Sequence, residues 1–126
     1  MKQITDSFVY GTMKVSQIID LLDAQVLTTG PSLEGDVKHA FSSDLMSDVL
    51  TRDHHKTVLI TGLSNLQAIR TAEMSEIGHV IIARDKAISK EMVELAEQSD
   101  IVLIKSSYSM FRISGMLFQA GIKPLF

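Results

Sequence analysis

The sequence predicts an α/β fold in which three layers (α/β/α) contain a mainly parallel sheet. Three apolar segments, at residues 58–60, 80–82 and 101–104, recur between Thr57 and Gly121. A polar corner and then a helical pattern follow each segment, at the spacing that a strand–helix–strand crossover requires. Because helices cover both faces of such a sheet, its strands are apolar along their whole length, as these segments are.

Length and composition indicate one globular domain. The chain has 126 residues, of which 45% are hydrophobic and 21% are charged, and these values are ordinary for a folded domain. Residues 1–12 show weak periodicity and are expected to form an N-terminal extension, either a poorly packed tail or an arm that adds an edge strand through residues 8–10. Residues 13–126 then form the single domain.

Charge, cysteine content and hydropathy argue against several classes of protein. The net charge is −3 and the basic residues are scattered, so a nucleic-acid partner is not expected. There are no cysteines, which excludes disulfides and thiolate metal sites. No apolar run is long enough to cross a membrane, and residues 1–6 lack the apolar core of a signal peptide. A cytoplasmic location is therefore expected.

The first half of the chain is expected to begin with one helix and two strands. Ser16 is the expected N-cap of an amphipathic helix that ends near Ala24. Residues 26–28 are expected to form a strand, which a Gly-Pro pair terminates. Residues 37–41 alternate apolar and polar side chains, which predicts a half-buried strand.

A second helix is expected after Ser42 and Ser43, which offer N-caps. Asp44 is placed in its first turn, where a negative charge favours the helix dipole. One face of this helix is expected to pack on the sheet. The apolar stripe on that face consists of Leu45, Met46, Val49 and Leu50.

The second half repeats a strand and a helix three times. The strands are expected at residues 57–61, 79–83 and 101–104, with a last edge strand at residues 123–126, because a proline is tolerated at a sheet edge. Ser89 is expected to cap the second helix, and Gly78 to adopt the left-handed conformation near the end of the first. The apolar side chains expected along the three helices are Leu66, Ile69 and Ala72, then Met92, Leu95 and Ala96, then Phe111, Leu117 and Phe118.

The carboxyl ends of the parallel strands are expected to meet at one edge of the sheet and to form a ligand site there. The helices that follow begin at the same edge, where their N–H groups and dipoles favour anions, phosphates especially. Hydroxyl, amide and guanidinium groups fit a phosphorylated or nucleotide-like ligand. The candidate ligand-binding residues are Thr61, Gly62, Ser64, Asn65, Arg84, Asp85, Ser106, Ser107 and Tyr108. The alternative is that the serines and the asparagine only cap helices.

The sequence contains no catalytic constellation, so no catalytic residue, metal ligand or cofactor is predicted. The corner at residues 62–65 lacks the second glycine and the lysine of a P-loop and does not match the dinucleotide fingerprint GxGxxG. The four histidines do not have the spacing of a metal site, and no serine lies in a Gly-x-Ser-x-Gly motif. Gly115 costs about 1 kcal/mol relative to alanine inside a helix, which indicates close approach of another helix or of a partner chain.

Two segments resemble the DRTGG domain. They are residues 41–50 (FSSDLMSDVL) and residues 58–67 (VLITGLSNLQ), and residues 91–96 and 107–111 continue the likeness over nearly the whole chain. DRTGG domains occur as regulatory inserts in some phosphotransacetylases and in pyrophosphatases with CBS domains, and as small stand-alone bacterial proteins, which this chain resembles most. The resemblance implies a fold similar to the N-terminal domain of HPr kinase.

The chain departs from the DRTGG pattern at the positions that give the family its name. The Asp-Arg pair expected after the Thr61-Gly62 corner is replaced around residues 63–64, and the Thr-Gly-Gly expected after the next strand is replaced by Ala-Arg-Asp at residues 83–85. Both changes lie at the expected ligand edge, so the ligand of the multidomain relatives does not transfer. The P-loop domain of HPr kinase is absent, so phosphotransfer is not implied.

The function expected from these observations is that of a non-enzymatic regulatory or sensory module. The chain is expected to form a homodimer and to bind a small anionic metabolite, a nucleotide or a partner protein. One alternative is a purely structural dimerisation domain without a ligand. Another is a small phosphate-handling enzyme, a transferase or phosphatase that uses Asp44, Asn65 or Arg84.

Overall fold

The computed structural model describes residues 11–50 and 56–126. The helices in these ranges are α1 (Val15–Leu21), α2 (Met46–Val49), α3 (Leu66–Met74), α4 (Lys90–Gln98) and α5 (Met110–Gln119). The strands are β1 (Met13–Lys14), β2 (Gln25–Val26), β3 (Asp36–Val37), β4 (His39–Ser42), β5 (Thr57–Thr61), β6 (His79–Ile82), β7 (Val102–Lys105) and β8 (Lys123–Pro124). Residues 1–10, with the expected arm at residues 8–10, lie outside the described residues, so the N-terminal extension stays a prediction.

Six strands form one sheet in the order β2-β7-β6-β5-β4-β8, and β1 pairs with β3 in a separate two-stranded ribbon. Strands β8, β4, β5, β6 and β7 are parallel, and β2 is antiparallel to β7 at one edge. Strand β8 lies at the other edge, as expected for a strand that contains a proline, Pro124. The predicted three-layer α/β fold with a mainly parallel sheet is confirmed.

Alternate side chains of the central strands enter two separate cores. On one face, Val58 and Ile60 of β5 and Ile81 of β6 pack with residues of α1 and α5. On the other face, Leu59 and Val80 pack with residues of α2, α3 and α4. All five side chains are fully buried, which is the pattern of a sheet that helices cover on both faces.

A polar side chain caps each helix of the repeating half. The caps and the residues whose N–H groups they accept are Asn65 with Ala68, Ser89 with Met92, and Ser109 with Arg112. The prediction for Ser89 is confirmed. The prediction for Gly78 is wrong, because α3 ends at Met74 and the left-handed residue after it is Glu76, with a φ of 59°. None of the helices in the described residues is long and apolar enough to cross a membrane.

The first helix and the first strand of the main sheet are displaced from their predicted positions. Lys14, not Ser16, is the N-cap of α1, because the Lys14 N–H is bonded to Gln17 Oε1 (2.8 Å) and fixes the start there. The helix ends at Leu21, not near Ala24. The strand expected at residues 26–28 is β2, and Thr28 beyond it bonds to the sheet through its hydroxyl oxygen.

Residues 37–41 do not form one strand. Val37 belongs to β3 and pairs with Met13, whereas His39–Ser42 forms β4 and lies between β5 and β8. The predicted strand is therefore divided between the ribbon and the main sheet.

Helix α2 is shorter than the apolar stripe predicted. It spans four residues, and its N-cap position is Leu45, not Ser42 or Ser43. Leu45 is 58% exposed and Leu50 is 49% exposed. The buried side chains of the expected stripe are therefore only Met46 and Val49.

His79, the first residue of β6, carries a buried ring nitrogen without a hydrogen bond. Of all the buried side-chain nitrogen and oxygen atoms in the described residues, only the Nδ1 atom of His79 has no hydrogen-bond partner. Burial lowers the pKa of the imidazole below its ordinary value, although a hydrogen bond with the Thr57 backbone and the charge of Asp100 act in the opposite direction. The folded protein therefore favours the neutral imidazole.

Lowering the pH below about 6.5, the ordinary pKa of histidine, should destabilise the fold through His79. The unfolded chain then takes up a proton that the folded chain binds less readily, so the free energy of unfolding falls as the pH falls. The His79→Gln variant cannot titrate there and should lose less stability than the wild type between about pH 7.5 and about pH 5.5. Urea denaturation at both pH values measures the difference, and equal losses in the two proteins would contradict the expectation.

Candidate functional site

The carboxyl ends of β5, β6 and β7 lie side by side at one edge of the sheet. The register aligns Thr61 with Ile82 and Ile82 with Lys105. The loops that follow these strands, residues 61–65, 84–87 and 106–108, are called the strand-end rim below, together with the charged side chains that contact them, Asp44, Lys105 and Arg112. Backbone bonds join neighbouring loops, because the Ala83 N–H donates to Thr61 and the Ser106 N–H donates to Ile82.

The chain leaves the rim in opposite directions after β6 and after β7. Helices α3 and α4, which follow β5 and β6, pack on one face of the sheet, whereas α5, which follows β7, packs on the other. Such a divergence between adjacent parallel strands leaves a crevice at their carboxyl ends, and ligands of open α/β sheets bind there. Within the described residues, the loops after β6 and β7 have this topology.

Asp44 holds the first loop of the rim in place. Its Oδ1 accepts hydrogen bonds from the Gly62 N–H (2.6 Å) and from the Thr61 hydroxyl (3.0 Å). The Thr61 hydroxyl oxygen accepts from the Leu63 N–H (3.2 Å). A Cβ added to Gly62 would lie 3.3 Å from Asp44 Oδ2, so the glycine permits this approach. The expectation that Asp44 lies in the first turn of α2 is wrong, because Asp44 precedes that helix and binds this loop instead.

The Asp44→Ala variant should have a free energy of unfolding about 1–3 kcal/mol lower than the wild type, because two donors lose a charged acceptor. Asp44→Asn keeps an oxygen acceptor and should recover part of the loss. Asp20→Ala, at an exposed position of α1, is the matched control and should change the free energy by less than about 0.5 kcal/mol. Urea denaturation measures all three, and equal losses at Asp44 and Asp20 would contradict this role.

Two contacts connect the loop after β5 with the loop after β6. Lys86 Nζ donates to the Gly62 carbonyl oxygen (2.6 Å), and the Ser64 hydroxyl donates to the carbonyl oxygen of Ala87. Asn65 Oδ1 accepts from the Ala68 N–H (3.1 Å) at the start of α3. The side chains of Ser64 and Asn65 are therefore engaged within the chain, and Asn65 is a helix cap.

The loop after β6 turns through two consecutive left-handed residues. Arg84 has a φ of 67° and Asp85 a φ of 54°, a conformation that is uncommon for residues other than glycine. The Arg84 N–H donates to the Tyr108 carbonyl (2.9 Å), and the Asp85 N–H donates to the Ser106 carbonyl (2.8 Å). Backbone strain of this kind clusters at functional sites.

The loop after β7 contains a buried serine and a tyrosine whose ring contacts an arginine. Ser106 is buried, and its hydroxyl oxygen accepts from the Tyr108 N–H (3.1 Å). The guanidinium carbon of Arg112 lies 3.8 Å from the centroid of the Tyr108 ring, which is a cation–π contact. Ser109 Oγ accepts from the Arg112 N–H (3.1 Å). The amino end of α5 therefore lies beside the rim.

Positive charge exceeds negative charge around the rim. The charged side chains there are Arg84, Lys86, Lys105 and Arg112, together with Asp44 and Asp85. Lys105 Nζ lies 3.5 Å from Asp85 Oδ1. In the part of the chain that the structure describes, the Arg84 guanidinium makes no hydrogen bond or ion pair. It is therefore available to an anion.

The nine candidate residues from the sequence all lie in the rim, but they differ in exposure. Thr61, Gly62 and Ser106 are buried, and Ser64 and Asn65 are bonded within the chain. The candidates on the solvent side are Arg84, Asp85, Ser107 and Tyr108, the last of them half-buried. The backbone bonds of Arg84 and Asp85 join the loop after β6 to the loop after β7, so the exposed candidates lie on an open surface of the rim.

An apolar groove of about 520 Å³ lies elsewhere, between α5, β4 and β8, and none of the nine candidates lines it. Among the described residues, no group of three or more His, Asp or Glu side chains is placed to hold a metal ion. His54 and His55 lie outside those residues.

Three cations of the rim, Lys86, Lys105 and Arg112, were not predicted from the sequence. Arg112 follows Tyr108 by four residues at the start of α5, and this spacing is the signal that relates their side chains. Lys86 reaches back to the Gly62 carbonyl across two loops, and no local pattern predicts such a contact. The role of Asp44 in holding Gly62 was missed for the same reason.

The chain was compared with known proteins. No protein-family model matches it, and no curated protein was found to match it. Its structure is similar to that of the CBS and DRTGG domains of the regulatory region of Clostridium perfringens pyrophosphatase, in complex with the activator diadenosine tetraphosphate. The TM-score is 0.67 at 17% sequence identity, and the match covers 86% of this chain and 47% of that chain. The two proteins share a fold, and this chain spans about half the length of that one.

Proposed function

We propose that this chain is a regulatory module of the DRTGG type that binds a nucleotide at the strand-end rim and acts as a homodimer. The observation that carries the proposal is the divergence of α4 and α5 to opposite faces of the sheet beside exposed cations. Open α/β sheets bind ligands at such a position. The fold shared with a regulatory region that binds a nucleotide activator supports the proposal.

Three side chains of the rim match the parts of a nucleotide. The phosphates bind the free Arg84 guanidinium and the amino end of α5, where N–H groups and the helix dipole favour anions. The base stacks beside Tyr108, whose ring already contacts the Arg112 guanidinium. Arg112 then neutralises phosphate charge at the same end of α5.

A regulatory role fits the rim better than a catalytic one. Two of the three residues on which an enzyme would rely are engaged in bonds within the chain. Asp44 Oδ1 accepts from two donors of the loop after β5, and Asn65 caps α3. This leaves Arg84, which binds anions but is a poor proton donor or acceptor, because its guanidinium stays charged.

A structural dimerisation domain without a ligand is the second candidate function. The observation that favours it is the apolar groove beside α5, which lies apart from the rim. Dimerisation at the groove would not obstruct nucleotide binding at the rim, because the groove and the candidate residues of the rim do not overlap.

Thermal and chemical unfolding with added nucleotide tests the proposal. AMP, ATP and diadenosine tetraphosphate are the probes, and inorganic phosphate is the control for anion binding without a base. A nucleotide present at a hundred times its Kd should raise the free energy of unfolding by about 2.7 kcal/mol. The absence of stabilisation by every nucleotide at about 1 mM would contradict nucleotide binding.

A further inference from the structure

The described part of the chain begins at Gly11, which lies beside the apolar groove of α5, β4 and β8. A Cβ added to Gly11 would lie 3.3 Å from the Gly121 carbonyl oxygen and 3.4 Å from Lys123 Cε. Gly11 is buried and has a φ of 68°, a conformation that glycine adopts at little cost. Because Lys123 lines the groove, residues 1–10 join the domain next to a wall of the groove.

The groove has an apolar lining. Leu117 and Ile122 are buried in it, and Phe118 is 67% exposed. The hydroxyls of Ser42 and Ser114 lie 2.6 Å apart and bond to each other, so they need no polar partner. Among the described lining residues, only Lys123 is charged. The groove therefore suits apolar and aromatic side chains.

Strand β8, which forms one wall of the groove, is the last strand of the main sheet. The Lys123 and Leu125 N–H groups donate to carbonyl oxygens in and next to β4. Because the backbone groups of successive strand residues point to opposite sides, the Pro124 carbonyl points to the outer side of β8. Within the described residues, no strand pairs with that side. Such an edge is a template for one more strand.

The three residues that precede the tether have the composition and the length that this edge requires. Phe8, Val9 and Tyr10 are residue types that favour strands. A strand that they form along β8 would run antiparallel to it, because Gly11 lies at the Gly121 end of β8. Three strand residues span roughly 10 Å, about the length of residues 123–126. The side chains of Phe8 and Tyr10 would then share one face, so both could enter the groove.

A segment of the same chain suits the groove better than a separate protein does. A separate partner loses translational and rotational freedom on association, and stable interfaces between proteins bury a total of about 1,200–2,000 Å². A segment tethered at Gly11 avoids most of this loss, because its effective concentration at the groove is on the order of millimolar. A contact made by two aromatic side chains is therefore sufficient for the tethered segment.

We infer that residues 8–10 form an antiparallel edge strand on β8 of their own copy, with Phe8 and Tyr10 in the apolar groove. The sequence left both an arm and a tail open for this segment, and the position of Gly11 favours the arm. A groove covered in this way is not a dimer interface, so the homodimer of the proposed function would use another surface. The inference goes beyond that function and does not depend on nucleotide binding at the rim.

Paramagnetic relaxation enhancement in the full chain tests this contact. The sequence has no cysteine, so a nitroxide on Ser7→Cys is the only label, and it leaves Phe8 and Tyr10 in place. The label should cause loss of the amide signals of Leu125 and Phe126, whereas the signals of α4, which packs on the other face of the sheet, should persist. Unchanged signals at Leu125 and Phe126 would overturn the inference.

Two variants of the labelled chain separate a docked strand from a label that is merely tethered nearby. Phe8→Ser/Tyr10→Ser keeps the tether at Gly11 but removes the aromatic contacts, so most of the signal at Leu125 and Phe126 should return. Ile4→Ser is the matched control and should leave the loss of signal as it is. Equal losses of signal with and without the two aromatic residues would show a tether alone and overturn the inference.

A mixed sample distinguishes the chain's own arm from that of a second copy. Nitroxide-labelled chain without isotope is added to isotope-labelled chain without nitroxide, and the signals of Leu125 and Phe126 should then persist. Their loss in the mixed sample would overturn the intramolecular contact and assign the groove to another copy. None of these results affects the nucleotide screen, which tests the rim separately.

Discussion

Replacement of Arg112 by alanine should weaken nucleotide binding by about ten- to a hundredfold. A hydrogen bond between charged groups contributes about 1.5–3 kcal/mol, and each 1.4 kcal/mol corresponds to a factor of ten. The Arg112 side chain is exposed and stacks on the Tyr108 ring, so its removal leaves no buried cavity. Isothermal titration calorimetry with the tightest-binding nucleotide of the screen measures the change.

Arg70→Ala is the matched control for this prediction. Arg70 is an exposed arginine in the middle of α3, outside the rim. Its replacement should leave the nucleotide affinity unchanged, although it removes the same charge. Equal losses of affinity in the Arg70 and Arg112 variants would show that overall charge, and not the rim, binds the nucleotide.

Truncation of Leu59 to alanine should lower the free energy of unfolding by about 2–5 kcal/mol. Leu59 is fully buried in β5, and its side chain lies in the core beneath α2, α3 and α4. A domain of this size has a total stability of about 5–15 kcal/mol, so the loss is a large part of it. Urea denaturation measures the change.

Leu45→Ala removes the same atoms from a side chain that is 58% exposed. This control should cost clearly less, because most of the Leu45 side chain remains in water in the folded protein. If the two truncations cost the same, Leu59 is not in a packed core and the assignment of two separate cores is wrong.

The strands of the second half could be predicted because both of their faces are buried. Strands β5, β6 and β7 lie within one residue of their expected bounds. A short, continuously apolar run is typical of a strand that is covered on both faces. The first half was predicted less well. Val37 and His39 are separated by one residue but join different sheets, and these pairings depend on β1, β5 and β8, which are distant in sequence.

The location of the nine candidate residues followed from topology, but which of their side chains are free of bonds within the chain did not. A loop at the end of a parallel strand lies at the rim whatever its residues are, so all nine candidates are found there. Asn65 and Arg84 are both polar residues after a strand. Only the packed structure shows that Asn65 caps α3 whereas the Arg84 guanidinium faces solvent.

The helical pattern of α5 did not show which of its apolar side chains are buried. Phe111, Leu117 and Phe118 are all apolar, yet only Leu117 is buried. Periodicity identifies an apolar stripe without stating which element covers it. The exposed phenylalanines therefore reveal a surface that a single-chain interpretation of the sequence would place in the core.

An amide NMR titration of the isotope-labelled chain with the tightest-binding nucleotide of the screen tests nucleotide binding at the rim most directly. The largest chemical-shift changes are expected at Gly62, Arg84, Ser106 and Tyr108, and they should vanish in an Arg84→Ala/Arg112→Ala variant that remains folded. Shift changes confined to the groove around Phe118 and Leu125, or a titration unaffected by the double substitution, would contradict a nucleotide site at the ends of β6 and β7.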